Sequence, residues 1–167
     1  LNIVTGHDAA AIGSELTRQA ILAVIVASIL MVAYITYRFE FKFAIAAIIA
    51  LLHDVIIVMG VFSIFRIEVD AAFIAAMLTI LGYSINDTIV IFDRIRENLK
   101  LHRKSDSLAD MVNRSIWQTM TRSIYTVLTV LFATVSLYVF GGETTKNFSL
   151  AMLIGFTAGV YSSICNA

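Results

Sequence analysis

An all-α fold, a polytopic bundle of five transmembrane helices, is what this sequence predicts, and three observations carry the prediction. Of its 167 residues 59% are hydrophobic and only 14% charged, where a soluble domain carries about 25% charge. The apolar residues gather in five runs, each near the roughly 20 residues a helix needs to cross about 30 Å of hydrocarbon. There is no proline anywhere, so unkinked helices are expected throughout.

In chain order, residues 1–19 are mixed and polar and read as an external lead-in to the first helix. Ser14-Glu15-Leu16-Thr17-Arg18-Gln19 has the residue types of a helix start, with Ser14 as N-cap. The transmembrane domain, 20–167, holds spans at about 20–37, 43–65, 71–93, 122–140 and 148–167. The connection 94–121 is rich in charge. Within it Ser107-Leu108-Ala109-Asp110 resembles a capping box with Asp in place of Glu, which predicts a short amphipathic helix on the membrane surface with Trp117 at headgroup level. Serines 105 and 107 interrupt the stretch, and Asp106 and Asp110 lie among its bases. Gly141-Gly142 marks a turn. Gly155 and Gly159 have the four-residue spacing that lets helix backbones approach closely. Leu1 opens the chain without a leader and Ala167 closes it inside an apolar helix, so the sequence reads as a piece of a longer protein.

Orientation follows from the basic residues. Arg38, Lys42, Arg94, Arg96, Lys100, Arg103, Lys104, Arg114 and Arg122 fall on one side of the membrane, and Arg18, Arg66 and Lys146 on the other. The positive-inside rule places the first set in the cytoplasm. The N-terminal stretch is then outside and the C-terminus inside. Twelve basic residues balance twelve acidic ones, which gives no case for a nucleic-acid partner. Cys165 is the single cysteine, so there is no internal disulfide and no metal-ligand spacing. The absence of a phosphate-binding glycine loop leaves no cofactor to expect.

The chemistry is expected where charge enters the apolar runs. A carboxylate at the centre of a membrane helix costs roughly 2.5–3.5 kcal/mol on insertion scales, so it faces a bundle interior, a partner or a water path. Asp87 is the first such residue. Helical spacing sets Thr79, Tyr83, Asn86 and Asp87 on one side of their span as a polar stripe. Asp87 can serve as a proton relay or as half of a structural ion pair between helices. Arg122 is its expected partner, or else snorkels to the interface. Asp54, beside His53 near the middle of the second span, is the second buried acid. His53 either shares its proton path or is a hydrogen-bonded packing residue. Asp93 stands at the boundary and is expected to pair with Arg94, Arg96 or the adjacent surface helix.

The segment Leu78-Thr79-Ile80-Leu81-Gly82-Tyr83-Ser84-Ile85-Asn86-Asp87-Thr88-Ile89-Val90-Ile91-Phe92-Asp93-Arg94-Ile95-Arg96-Glu97-Asn98 resembles the signature of SecF, the bacterial protein-export membrane proteins, or of the SecF half of fused SecDF. Ile12-Gly13-Ser14-Glu15-Leu16, His53-Asp54-Val55, Asn113-Arg114-Ser115-Ile116 and Thr121-Arg122-Ser123 agree with it. The resemblance covers nearly the whole chain. It implies the last five spans of a six-helix unit, related to the resistance-nodulation-division transporters, without the first helix and the external domain. It further implies a multi-pass protein of the bacterial cytoplasmic membrane that uses the proton gradient to assist preprotein export. The implied partners are SecD, the SecYEG channel, SecA indirectly and the exported preprotein, besides membrane lipid. By position, Asp87 matches the family's protonatable aspartate, Arg122 the arginine implicated with it, and Asp54 a recurrent membrane acid. Asn86, Tyr83, Thr79, Thr88 and His53 are the supporting polar residues.

Two other classes compete. Intramembrane aspartyl proteases also carry two aspartates on neighbouring spans, but those carboxylates must share a proton, and no Gly-x-Gly-Asp precedes Asp87 in Tyr83-Ser84-Ile85-Asn86-Asp87. No enzymatic activity is therefore expected. A passive translocon scaffold, with Asp87 merely paired to Arg122, is the other class, and a different proton-coupled transporter of the same superfamily is a variant of the first reading.

Overall fold

The computed structural model describes residues 6–38, 41–101 and 107–165. They form five helices in the order α1 (Gly6–Arg38), α2 (Phe41–Ile64), α3 (Ala71–Leu101), α4 (Leu108–Phe140) and α5 (Glu143–Cys165). Residues 1–5, Arg103, Lys104, Ser105, Asp106 and Asn166 lie outside the described set. Helices α2, α3, α4 and α5 are each long and apolar enough to cross a membrane, whereas the apolar part of α1, Ile21–Tyr37, is shorter.

Each expected span falls on a helix, with Phe65 just past the end of α2 and 166–167 outside the described residues, and three helices, α1, α3 and α4, run well beyond the expected spans. α1 begins at Gly6, so Ser14 lies inside the helix and is not its N-cap; Ala9-Ala10-Ala11, the strongest helix formers, extend it upstream. α3 does not stop at Asp93 but continues to Leu101. The expected surface helix is not a separate element: it is the first part of α4. Ser107 does take the N-cap position, in an extended conformation, though its side chain makes no capping bond. Trp117 lies on the outer face of this first part of α4, 67% exposed.

The ends of the other helices have visible causes. The Asp70 carboxylate accepts from the Phe73 backbone N–H at 2.8 Å, capping the start of α3. Past α2, Arg66 takes φ 52° while the Ile67 N–H bonds back to the Phe62 carbonyl at 2.9 Å, a left-handed helix ending that any residue with a Cβ adopts at some cost. Gly141 ends α4, and Gly142 turns the chain into α5 at φ 80°, a conformation open to glycine.

α3 and α5 stand at the centre. Both lie against α2 and α4, and α1 packs on α2 and α3. One apolar cluster joins α1, α2 and α3 around Ile35, Leu51, Leu81 and Phe92. A second joins α2, α3 and α5 around Val58, Phe62, Phe73, Ile80 and Phe156. The expected role of Gly155 and Gly159 is met here: a Cβ on Gly155 would overlap the Ile80 side chain, and one on Gly159 would come within 3.3 Å of Ser84 Cβ. Close approach of these two helices is what brings small hydroxyl side chains within reach of each other.

Gly155→Val should therefore destabilise the bundle by about 1–3 kcal/mol through overpacking. Gly60→Ala, where an added Cβ meets nothing within 4 Å, should be neutral or stabilising by up to about 1 kcal/mol. Unfolding of the full-length protein in detergent checks both; equal effects of the two would contradict the packing described.

Candidate functional site

Asp54 is fully buried at 0% exposure, and three helices satisfy it. Its Oδ2 accepts from Ser84 Oγ of α3 at 2.6 Å and from Ser162 Oγ of α5 at 2.9 Å. Its Oδ1 lies 3.2 Å from His53 Nδ1. A carboxylate taken out of water costs several kcal/mol unless hydrogen bonds replace the lost hydration. Here two hydroxyls and an imidazole replace it, so the acid ties α2, α3 and α5 together.

Asp87, one turn further along α3, is 9% exposed and is held differently. Ser123 Oγ of α4 donates to its Oδ1 at 2.7 Å, and its Oδ2 is buried without a protein hydrogen-bond partner. Beside it, Thr88 Oγ1 donates to Ser163 Oγ at 3.1 Å, and Ser163 Oγ in turn donates to the Ser84 carbonyl at 3.3 Å. These bonds extend the α3–α5 seam. Tyr83 turns its ring onto Phe156, with centroids 4.7 Å apart.

The polar stripe expected on α3 is therefore split. Tyr83, Asp87 and Thr88 turn towards α4 and α5, while Thr79 and Asn86 are exposed, and the Thr79 hydroxyl bonds back to the Ala75 carbonyl at 2.8 Å. The expected partner of Asp87 is replaced. Arg122 is exposed on α4, and no described ion pair joins it to Asp87. Its neighbour Ser123 makes the contact instead, because successive residues on a helix point about 100° apart and only one of the two can face α3.

Towards the basic end, the extensions of α3 and α4 are joined by a polar knot. Arg94 Nε donates to Gln118 Oε1 at 2.6 Å and pairs with Glu97. Asn98 Nδ2 donates to Ser115 Oγ at 2.7 Å and to Gln118 Oε1 at 3.0 Å. Sequence reasoning had not singled out Gln118, nor Ser84 and Ser123 as the partners of Asp54 and Asp87.

Known proteins agree with this bundle. Residues 9–167 match the model of the family described as protein export membrane protein SecD/SecF, C-terminal. The chain belongs to that family. It is 57% identical over 155 residues to a protein translocase subunit SecF of Alicyclobacillus acidocaldarius, covering 92% of this chain and 50% of that one. It is 54% identical over 156 residues to a protein translocase subunit SecDF of Bacillus subtilis, covering 92% and 21%. Among solved structures, a crystal structure of SecDF from Thermus thermophilus, described as a translocon-associated membrane protein, superposes with a TM-score of 0.86 at 47% identity over 92% of this chain and 21% of that one. The chain thus spans about half the length of the SecF relatives it matches. Family membership and the four long apolar helices make it an integral membrane protein.

Within this SecD/SecF bundle the Ser123–Asp87 bond should carry measurable coupling. In a double-mutant cycle of Ser123→Ala with Asp87→Asn, read by unfolding in detergent, an interaction of about 0.5–1.5 kcal/mol is expected. Thr126→Val, which loses only a hydroxyl bond to the Arg122 carbonyl of its own helix, should show almost no coupling to Asp87.

Proposed function

We propose that this chain forms part of the membrane domain of a Sec protein-export subunit that uses the proton gradient across the bacterial cytoplasmic membrane to assist preprotein translocation. The observation that carries the reading is Asp87, a carboxylate in the apolar bundle held by one hydroxyl and with its second oxygen unpartnered. Such a group differs from Asp54, both of whose oxygens are engaged.

In this reading Asp87 alternates between two partners on α4. Neutral, it accepts from Ser123. Charged, it draws the Arg122 guanidinium, which stands beside Ser123 and is reached by a roll of α4 together with the length of its side chain. Protonation then shifts the balance between two helix arrangements, and the change in α4 is passed to the parts of the protein that contact the emerging chain. Asp54 is the second acid of the relay, and Tyr83, Thr88, His53, Asn86 and Thr79 support the two. The basic end, with Arg94 and Arg122, faces the cytoplasm by the positive-inside rule. SecD, the SecYEG channel and the preprotein are the partners, with SecA acting indirectly. No enzymatic step is assigned: Asp54 and Asp87 have separate hydrogen-bond partners, where a proteolytic pair would share a proton.

Membrane vesicles containing the full-length protein with its SecD partner test this. Asp87→Asn, at equal expression, is expected to abolish the gradient-dependent part of preprotein export while the complex still assembles. Export that keeps its full response to the gradient would sink the motor reading and leave a passive scaffold.

A further inference from the structure

We infer that Gln118 is a positioning residue for the site at Asp87: clamped to α3 at the basic end, it sets which of two neighbours on α4, Ser123 or Arg122, faces the acid. The inference rests on the reading above, in which Asp87 meets either of the two. Its test reads the setting of α4 and not export.

Side chains on a helix line up in rows four residues apart. On α4 one such row holds Met111, Ser115, Thr119 and Ser123, and all four are buried. The row beside it holds Arg114, Gln118 and Arg122, and all three are exposed. Turning α4 by one row would exchange Ser123 for Arg122 at Asp87, and with it Thr119 for Gln118 and Ser115 for Arg114. Whatever keeps the first row inward therefore decides what Asp87 meets.

The apolar packing of α4 engages both rows. Further out along the helix, Val130 continues the row of Arg122 and Leu131 the row of Ser123, and both pack on the cluster around Phe62 and Phe156. A choice between the rows has to be made elsewhere.

The polar knot at the basic end makes it. Gln118 Oε1 accepts from Arg94 Nε at 2.6 Å and from Asn98 Nδ2 at 3.0 Å, donors one turn apart on α3. Asn98 Nδ2 also donates to Ser115 Oγ at 2.7 Å, so both N–H groups of one amide are committed, one to the buried row and one to the row at its edge. Ser115 is fully buried. This pattern fits only the present setting: turning α4 by one row draws Gln118 inward, away from Arg94, and takes Ser115 from Asn98. The bond from Arg94 is charge-assisted, yet its side chain is 37% exposed, which keeps it weak enough to open. Gln118 and Arg122 are four residues apart, so the residue that is held and the residue that is kept out stand in the same row.

Spin labels at the exposed positions Ile56 on α2 and Leu128 on α4, in the full-length protein with its partner subunit and with Cys165 replaced by Ser, test the inference over a range of pH. Gln118→Leu keeps the bulk of the side chain and removes the acceptor. It is expected to raise the share of a second α2–α4 distance population by roughly three- to tenfold, the worth of one or two hydrogen bonds. Gln118→Glu, which keeps the acceptor, should hold that share at or below the wild-type level. Adding Arg122→Gln to Gln118→Leu should cancel the excess, because the guanidinium is what the freed helix brings to Asp87. A share that Gln118→Leu leaves unchanged, or a Gln118→Glu protein that behaves like Gln118→Leu, would overturn the inference. So would an excess that survives Arg122→Gln, which would mark loosened packing and not a choice between rows. A wild-type distribution that ignores pH would count against the proton reading of Asp87, while the comparison among the Gln118 variants would still decide this inference.

Discussion

Two carboxylates buried in apolar surroundings have to be satisfied by the helices that bury them, and the arrangement of this bundle follows from how each is satisfied. Asp54 is met from three helices at once. That requires α5 to come close to α3, which Gly155 permits, since a Cβ there would overlap the Ile80 side chain, and which Gly159 eases. The hydrogen bonds and the apolar clusters on either side of them are thus one construction: the glycines allow the approach, the approach aligns the serines, and the serines make the buried charge tolerable. Asp87 is satisfied only on one side. The difference between the two acids is the difference between a joint and a contact that can change.

On the proposed reading, that difference divides the membrane domain into a frame and a movable part. α2, α3 and α5 share the Asp54 joint and the apolar cluster around Phe62 and Phe156. α4 meets these helices through Ser123 at mid-helix, through Gln118 and Ser115 at its basic end, and through Val130 and Leu131, which pack on the same apolar cluster. It also buries less of its apolar stretch than the other long helices do, and it carries the exposed Arg122. On the reading proposed above, a basic residue next to the Ser123 tie gives α4 two ways to sit against the same acid.

Much of this was legible in the residues. The apolar runs gave the helices because only a helix or a closed barrel satisfies the backbone inside hydrocarbon, and the Gly155–Gly159 spacing gave the tight α3–α5 approach. The helix ends were less legible. Charge in Asp93-Arg94-Ile95-Arg96-Glu97-Asn98 marks where a helix leaves the apolar phase, not where it stops, and Ile95 remains buried while Asn98 bonds to Ser115. Hardest to read were the serines. Ser84 and Ser123 bond across helices, whereas Thr126, Thr129 and Ser136 bond to the backbone of their own. Both kinds look alike in sequence, because a hydroxyl always has its own i−4 carbonyl as an alternative. That is why Arg122, the more conspicuous neighbour, was expected where Ser123 stands.

The central claim is that α4 moves against a fixed α2–α3–α5 frame when Asp87 changes its charge. Spin labels on the full-length protein with its partner, with Cys165 replaced by Ser, measure this most directly. One pair would join the exposed positions Ile56 on α2 and Leu128 on α4, and a control pair the exposed positions Leu52 on α2 and Ala75 on α3. The account predicts that the α2–α4 distance distribution shifts between acid and alkaline pH, that Asp87→Asn holds it in the acid form at every pH, and that the α2–α3 distances stay constant. An α2–α4 distribution that ignores both pH and the substitution, or frame distances that change with it, would contradict the account.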